Sequence, residues 1–240
     1  MKRKTALITG ASRGIGRAIA TALAQNGYDL FLACHKNEAF LSELKKDLEH
    51  QYTVTCKTMI GDISQEETVR KLFFSIDHLD VLVNNAGISH IGLLHEMDLE
   101  EWNRVIGTNL TSVFLCSKYA IPLMLREKHG KIINISSVWG NVGASTEVAY
   151  SASKGGVNAF TRALAKELAP SGIQVNALAC GMINTEMNGH LTPDEINTII
   201  EEIPADRIGQ PEDIASAVLS LCAGSSYLTG QVIAIDGAWI

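Results

Sequence analysis

The chain has 240 residues, with 20 Lys and Arg against 26 Asp and Glu and a formal net charge of −6 at neutral pH. This length suits one large α/β domain or two small ones, and the 46% hydrophobic content is too high for a disordered chain. The acidic balance argues against nucleic acid or an anionic membrane as the main partner. Its 5 cysteines are scattered without CxxC spacing, which supports neither a disulfide framework nor a metal site. No apolar run reaches the roughly 18 residues of a membrane span, so we predict a cytoplasmic protein.

Strand and helix signals alternate along the whole chain. Short apolar runs predict strands at 5–9, 30–33, 52–60, 81–83, 131–135, 173–179 and 231–235. Helical spacing predicts helices at 14–26, 38–50, 64–76, 99–128, 148–169, 193–203 and 211–222, and Ser64 and Glu67 have the spacing of a capping box. This alternation implies βαβ units in a parallel sheet. We therefore predict an α/β fold over 1–240: a single Rossmann-like, doubly wound sheet of about seven strands with helices on both faces.

A glycine-rich turn follows the first predicted strand and opens a helix. Its order from Gly10 to Gly16 is G-x-x-x-G-x-G rather than the more familiar G-x-G-x-x-G. Small residues there still allow a pyrophosphate to approach backbone N–H groups at a positive helix N-terminus. Ligands of doubly wound sheets bind beyond the carboxyl ends of the strands. The turn therefore predicts a dinucleotide site.

The end of the second predicted strand indicates which dinucleotide binds. Folds that prefer NAD place an Asp or Glu here to hold the ribose 2′-hydroxyl, whereas this chain has His35 and Lys36 and no acid before Glu38. Arg13 lies in the glycine turn. These cations would attract a 2′-phosphate, so we predict NADPH over NADH. The alternative is that Arg13 and Lys36 are simply solvated.

A serine, a tyrosine and a lysine predict the chemistry. Ser137 follows the fifth strand, and Tyr150 and Lys154 are four residues apart, on one face of a predicted helix. A nearby ammonium lowers the pKa of a phenol. Tyr150 would then protonate a carbonyl oxygen as hydride arrives, while Ser137 donates a hydrogen bond to the developing alkoxide. Alone, the Y-x-x-x-K pattern is typical of any helix face. The upstream serine and the glycine turn strengthen the prediction of a catalytic site.

Together these residues resemble the short-chain dehydrogenase/reductase family over essentially the full chain. The resemblance implies an NADP(H)-dependent enzyme acting on a carbonyl or alcohol, assembled as a homotetramer. It also implies that Asn109 completes a catalytic tetrad with Ser137, Tyr150 and Lys154 by anchoring a water in a proton relay. Lys154 would hold the nicotinamide ribose, Thr185 the carboxamide, and Asp62 would lie beside the adenine. The implied cofactor-binding residues are Gly10, Ser12, Arg13, Gly14, Ile15, Gly16, His35, Lys36, Asp62, Ile63, Asn85, Ala86, Gly87, Tyr150, Lys154, Gly181, Ile183 and Thr185.

One position departs from the family pattern. The family has Pro-Gly after the sixth strand, where this chain has Cys180-Gly181. Cys180 would leave the nicotinamide-facing loop less rigid or add a thiol that alkylating agents reach. We expect at most weaker binding of the cofactor, because Gly181 and Thr185 remain.

Within the family, the chain is similar to 3-oxoacyl-[acyl-carrier-protein] reductases at Asn84–Gly87, Ser137–Gly140 and Arg207–Ala215. Those enzymes dock an acidic carrier protein on basic residues. At the two usual places this chain has Lys128 and an uncharged Ser171. With a net charge of −6, electrostatic steering of an acidic carrier is expected to be poor.

A narrower resemblance, at 136–147 and 202–207, is to elongation factor P 5-aminopentanone reductases. Their substrate is a ketone on a protein side chain that carries a basic amine, which Glu147 would meet at the pocket mouth; the alternative is a solvated turn acid. Trp139 and Met182 would shape the pocket wall, and the segment 182–205 would form a lid. A third hypothesis is a non-catalytic NADP(H) sensor, against which the intact Ser137, Tyr150 and Lys154 argue.

Overall fold

The computed structural model describes residues 3–240, and its strands form one parallel sheet. The strands are β1 (Thr5–Thr9), β2 (Asp29–Cys34), β3 (Cys56–Ile60), β4 (Val81–Asn84), β5 (Gly130–Ser137), β6 (Ile173–Cys180) and β7 (Val232–Ile235). Their order is β3-β2-β1-β4-β5-β6-β7, and every neighbouring pair is parallel. The chain therefore changes direction across the sheet between β1 and β4, which opens a crevice at their carboxyl ends. The predicted doubly wound α/β fold is confirmed.

Helices cover both faces of the sheet. They are α1 (Gly14–Gln25), α2 (Glu38–Gln51), α3 (Glu66–Phe74), α4 (Leu99–Ile106), α5 (Ser112–Glu127), α6 (Trp139–Val142), α7 (Val148–Leu168), α8 (Pro193–Glu202) and α9 (Pro211–Ala223). One apolar core joins the sheet to α1, α2 and α9, and a second joins it to α3, α5 and α7. Ile19 and Leu23, one turn apart on α1, are fully buried in the first core. The central strands β1, β5 and β6 are buried along their whole length because both faces are covered.

Two predicted boundaries are wrong. The helix predicted from Ser64 begins at Glu66, with Gln65 as an N-cap that makes no side-chain hydrogen bond. The capping box fails because the Ser64 backbone N–H donates to Asp62 Oδ1, at 2.9 Å, and holds the chain in a turn. The strand predicted from Tyr52 begins only at Cys56.

The long helix predicted over 99–128 is also interrupted. A π-helical turn at Gly107–Thr111 separates α4 from α5. Asn109 lies in this turn, and its side chain is bonded to the backbone of Ile88 rather than exposed on a regular helix. Such turns within helices often occur at functional sites. Within residues 3–240, no helix is long and apolar enough to cross a lipid bilayer.

Candidate active site

One cavity of about 850 Å³ lies at the carboxyl edge of the sheet, beyond β1, β4 and β5. It is lined by every residue predicted to bind the cofactor and by Ser137. Asn109 is the predicted site residue that does not line it. Among residues 3–240, no three His, Cys, Asp or Glu side chains cluster as metal ligands would. The structure therefore brings the predicted dinucleotide and catalytic residues to one place.

The glycine turn is held against the loop that follows β4. Thr9 Oγ1 accepts hydrogen bonds from the backbone N–H groups of Asn85 and Ala86, at 3.0 and 3.1 Å, and Asn85 Nδ2 donates to the Thr9 carbonyl at 2.9 Å. Gly10 has φ +66°, and a Cβ there would lie 2.9 Å from the Ala86 Cα. A Cβ on Gly16 would lie 2.2 Å from the Gly10 carbonyl oxygen. Only glycine allows this close approach.

The first turn of α1 fits an anion. Its N-cap, Arg13, makes no side-chain capping bond, so the N–H groups of this turn remain available to a ligand. Thr185 lies against the same turn, because a Cβ on Gly14 would be 3.3 Å from Thr185 Cγ2. The geometry at this end of the cavity fits a pyrophosphate between the glycine turn and the start of the segment 182–205.

The cations beside β2 are exposed and line the same cavity. Arg13, His35 and Lys36 are all exposed there. The neighbouring Arg17 is engaged by Glu43 and Asp47 of α2, at 3.6 and 3.5 Å. In contrast, neither Arg13 nor Lys36 has a carboxylate within 4.0 Å in the part of the chain that the structure describes. Their charge is free to attract a phosphate.

The predicted catalytic side chains come from β5 and α7. Ser137 ends β5, and Tyr150 and Lys154 lie one turn apart on α7. Lys154 Nζ donates to the Ile135 carbonyl at 2.9 Å and lies 5.6 Å from the centroid of the Tyr150 ring. The Ser137 hydroxyl lies near the Tyr150 phenol, whose pKa it acts to lower. A carbonyl oxygen beside these two hydroxyls would have two hydrogen-bond donors.

Burial is the main influence on the pKa values of Tyr150 and Lys154. It raises the pKa of Tyr150 well above its ordinary value, although the neighbouring Ser137 hydroxyl acts in the opposite direction. It also lowers the pKa of Lys154 to about 8. Removal from water disfavours both charged forms, and for Tyr150 this effect outweighs the causes that lower its pKa. At neutral pH, Tyr150 is a neutral phenol.

Asn109 lies behind the cavity wall and is 1% exposed. Its amide oxygen accepts from the Ile88 N–H at 2.8 Å, and its amide nitrogen donates to the Ile88 carbonyl and to Ser153 Oγ, at 2.9 and 3.0 Å. A Cβ on Gly87 would lie 3.4 Å from Lys154 Nζ and 3.5 Å from Asn109 Oδ1. The side chain thus fixes the loop after β4 next to Lys154. Its part in a proton relay stays a prediction.

Glu147 lies in the cavity wall close to the phenol. Its charge contributes to the raised pKa of Tyr150, after burial and Cys180. Glu147 Oε2 accepts a hydrogen bond from Ser89 Oγ at 2.6 Å. The carboxylate is therefore held in the cavity and is not a freely solvated turn acid.

Cys180 is less accessible than the sequence suggested. It is 5% exposed and ends β6, paired in register with Ser137 and Ile235. Burial raises the pKa of its thiol to about 12. Cys180 does line the cavity, but the thiolate that alkylating agents need is scarce.

Trp239 lines the cavity. The sequence did not predict it as a site residue, because it belongs to no motif. The one available signal was its position just after the seventh strand, at the edge of the sheet where ligands bind. Trp139 and Met182, expected to shape the wall, both line the cavity, and Trp139 packs against Trp239. The segment 182–205 contributes residues from Met182 to Ile199 to the lining.

Known proteins resemble this chain over nearly its full length. The family model for short chain dehydrogenases matches residues 4–196. YmfI, an uncharacterized oxidoreductase of Bacillus subtilis, is 41% identical over 98% of both chains. The 3-oxoacyl-[acyl-carrier-protein] reductase FabG of Aquifex aeolicus is 39% identical over 99% of this chain and 97% of its own, and that of Staphylococcus aureus is 41% identical over 98% and 97%.

Among solved structures, one assigned as a gluconate dehydrogenase of Agrobacterium tumefaciens superposes with a TM-score of 0.93. It is 34% identical, and the match covers 98% of this chain and 95% of that one. The shared sheet, the cavity at its carboxyl edge and these matches lead to one conclusion. The chain belongs to the short-chain dehydrogenase family and is an NAD(P)-dependent oxidoreductase that acts on a CH–OH or C=O group.

Proposed function

We propose that the protein is an NADPH-dependent carbonyl reductase of the 3-oxoacyl-[acyl-carrier-protein] reductase type, acting in fatty acid synthesis. The observation that carries this proposal is the single cavity in which Ser137, Tyr150 and Lys154 lie together with the free cations Arg13 and Lys36. The FabG relatives, 39 to 41% identical over nearly the whole chain, favour an acyl thioester as substrate.

The proposed reaction uses these side chains in distinct roles. The hydride that adds to the carbonyl carbon would come from bound NADPH. Tyr150, a neutral phenol at neutral pH, donates its proton to the carbonyl oxygen, and Ser137 donates a hydrogen bond to the same oxygen. The Lys154 ammonium, oriented by the Ile135 carbonyl, stabilises the negative charge left on the phenolate. Electrostatic stabilisation is strong here because the site is buried.

A substrate comparison tests the reaction. We expect NADPH to be consumed with acetoacetyl thioesters, measured by loss of absorbance of the reduced nicotinamide. Failure on all acyl thioesters would exclude the 3-oxoacyl reductase. A carrier-protein thioester should be compared with the coenzyme A thioester, because Lys128 is exposed but Ser171 is uncharged. With a chain charge of −6, we expect at most a small, weakly salt-dependent preference for the carrier form.

The cofactor preference has its own test. We expect kcat/KM to favour NADPH over NADH, and Lys36→Ala and Arg13→Ala to reduce this preference at least tenfold. Arg17→Ala is the matched control, because Glu43 and Asp47 already neutralise Arg17. The assignment would be contradicted if the wild type preferred NADH, or if Arg17→Ala reduced the NADPH preference as much as Lys36→Ala and Arg13→Ala.

Glu147 favours a second candidate, the elongation factor P 5-aminopentanone reductase. A carboxylate held in the wall beside Tyr150 would pair with the basic amine of an aminoketone. In that case Glu147→Gln should raise KM for an aminoketone at least tenfold and leave KM for an acetoacetyl thioester unchanged. Turnover of the thioester but not of the aminoketone would exclude this candidate.

We also propose that the protein is a homotetramer. In support, Phe114 and Leu125 of α5 are 47% and 42% exposed, and the edge strand β7 is only half-buried. Apolar surface of this kind is typical of interfaces. Sedimentation at several concentrations should give four times the chain mass, and a monomer at all of them would refute the assembly.

A further inference from the structure

The segment that follows β7 turns back toward the active-site cavity. The Ile235 carbonyl accepts from the Gly181 N–H at 3.0 Å, and the Gly237 carbonyl accepts from the Ala205 N–H at 3.2 Å. Asp236 closes the turn: its two carboxylate oxygens accept from the N–H groups of Ala238 and Ile240, at 3.0 and 3.2 Å. The segment is thereby tied both to the end of β6 and to the end of the segment 182–205.

The backbone of this turn is unusual. Gly237 and Ala238 have φ values of +69° and +68°, and the left-handed region is disfavoured for alanine. Such a conformation persists only where surrounding contacts determine it, and here the Asp236 carboxylate supplies them. The result is that the next residue, Trp239, is directed into the cavity wall.

Trp239 contacts two different elements of the site. Its ring centroid lies 5.2 Å from that of Trp139, at an interplanar angle of 63°, in an edge-to-face pair. Trp139 begins α6, two residues after Ser137. The indole N–H of Trp239 donates to Glu202 Oε2 at 3.3 Å, and Glu202 is the last residue of α8. One side chain therefore joins α8 to the residues beside the catalytic serine.

The contacts place Trp239 at the substrate end of the cavity. Trp139 follows β5, whereas Lys36 follows β2, and two strands separate β5 from β2. With neighbouring strands about 4.8 Å apart, these positions are about 14 Å apart across the sheet. A change at Trp239 should therefore affect the carbonyl substrate and not the adenosine end of a dinucleotide.

We propose that Trp239 is a positioning residue of this enzyme. It holds α8 over the substrate end of the cavity through Glu202, and with Trp139 it completes an aromatic wall beside Ser137. The inference extends the proposed function by identifying which side chains shape the carbonyl-substrate pocket. The hold on α8 does not depend on which carbonyl compound is reduced.

Amide hydrogen exchange tests the hold on α8 without any substrate. In Trp239→Ala, we expect peptides covering 193–203 to exchange at least fivefold faster than in the wild type, while peptides covering 148–168 are unchanged. Glu202→Ala should reproduce the increase, because it removes the acceptor. Trp102→Ala is the matched control, since Trp102 does not line the cavity. Unchanged exchange over 193–203 in Trp239→Ala would overturn the inference.

Kinetics then separate a positioning role from a general loss of structure. For whichever of acetoacetyl coenzyme A and the aminoketone the wild type reduces, Trp239→Ala should raise KM about tenfold, with kcat and the KM for NADPH changed less than twofold. Trp239→Phe, which keeps the ring but loses the N–H, should have a KM between those of Trp239→Ala and the wild type. Equal increases in the KM for the carbonyl substrate and in the KM for NADPH would contradict the proposal.

The same experiments distinguish an error in the proposed reaction from an error in the inference about Trp239. If the wild type reduces neither compound, the assigned reaction is wrong, and the exchange measurement alone decides the inference about Trp239. Faster exchange confined to 193–203 would then still support the hold on α8.

Discussion

The charge states of Tyr150 and Lys154 follow from their burial. Tyr150 stays protonated at neutral pH, because burial raises its pKa, and this is the form that donates a proton during reduction. Lys154, with its pKa lowered to about 8, is charged at neutral pH and becomes neutral in mildly alkaline solution. The residue that changes charge near physiological pH is therefore the lysine.

The pH dependence of the reaction should report this lysine. We expect kcat/KM for reduction to fall as the pH rises through about 8, because Lys154 is buried and loses its proton there. Lys154→Arg should move the fall to higher pH, because a guanidinium keeps its charge. Initial rates between about pH 6 and about pH 10 lie on both sides of the lowered value and stay below the ordinary lysine pKa of about 10.4. A profile that is flat above pH 8 would contradict the assignment.

Removal of the phenol hydroxyl tests the proton donor. We expect Tyr150→Phe to lower kcat by about a hundredfold or more, the usual size of a general acid contribution, with NADPH affinity retained. Tyr119→Phe is the control: its hydroxyl bonds to the exposed Glu66, and its loss should leave kcat unchanged. Stopped-flow or steady-state turnover with the reducible substrate measures both. Equal kcat in Tyr150→Phe and the wild type would remove Tyr150 from the mechanism.

At the scale of elements, a buried amide network sets the position of α7 against the sheet. Asn84 Nδ2 donates to Asn134 Oδ1, and Asn134 Nδ2 donates to Thr161 Oγ1, both at 2.9 Å. Asn84 is on β4, Asn134 on β5 and Thr161 on α7. All three are nearly inaccessible to water. The network links the helix carrying Tyr150 to the strand that ends at Ser137.

Asn134→Ala should therefore destabilise the protein. It leaves Asn84 Nδ2 with only its long bond to Ser117 Oγ, at 3.4 Å, and Thr161 with only its bond to the Val157 carbonyl. Losing both bonds in this buried position should cost about 1–3 kcal/mol. For a chain of this length, each kcal/mol lowers Tm by about 2–4 °C. The exposed Asn103 serves as control, and Asn103→Ala should keep the wild-type Tm in calorimetry. Equal Tm values for the two variants would show that the network contributes nothing.

The sequence predicted the elements better than their ends. Apolar periodicity located each strand and every α-helix except the short α6, because burial on one face repeats locally along the chain. It missed the π-helical turn at Gly107–Thr111, since that turn depends on Asn109 bonding to Ile88 across the fold. The cap expected at Ser64 failed for a local reason, because the Asp62 side chain accepts the Ser64 N–H in a competing turn.

At the scale of the whole molecule, the cavity joins segments from most of the chain. The glycine turn, the loop after β4, α7 and the segment 182–205 all contribute to its lining. A dinucleotide that bridges them would bind only the folded state. Binding should therefore stabilise the whole domain.

A thermal shift measures this linkage. At a concentration of one hundred times Kd, NADPH should stabilise the protein by about 2.7 kcal/mol, which corresponds to a rise in Tm of about 5–10 °C. The same concentration of NADH should give a smaller rise, because it lacks the 2′-phosphate that Arg13 and Lys36 attract. Lys36→Ala should reduce the difference between the Tm shifts produced by NADPH and NADH. Equal shifts for the two dinucleotides would contradict the NADPH preference.

The sequence by itself determined the alternation of strands and helices, the glycine turn and the Ser137, Tyr150 and Lys154 pattern. These features are local, because periodicity and motif spacing are properties of contiguous segments. Only the tertiary structure decided the burial that sets the pKa values of Tyr150 and Lys154, the burial of Cys180 and the place of Trp239 beside Trp139. Each of these depends on which distant segments meet, and local spacing carries no record of that.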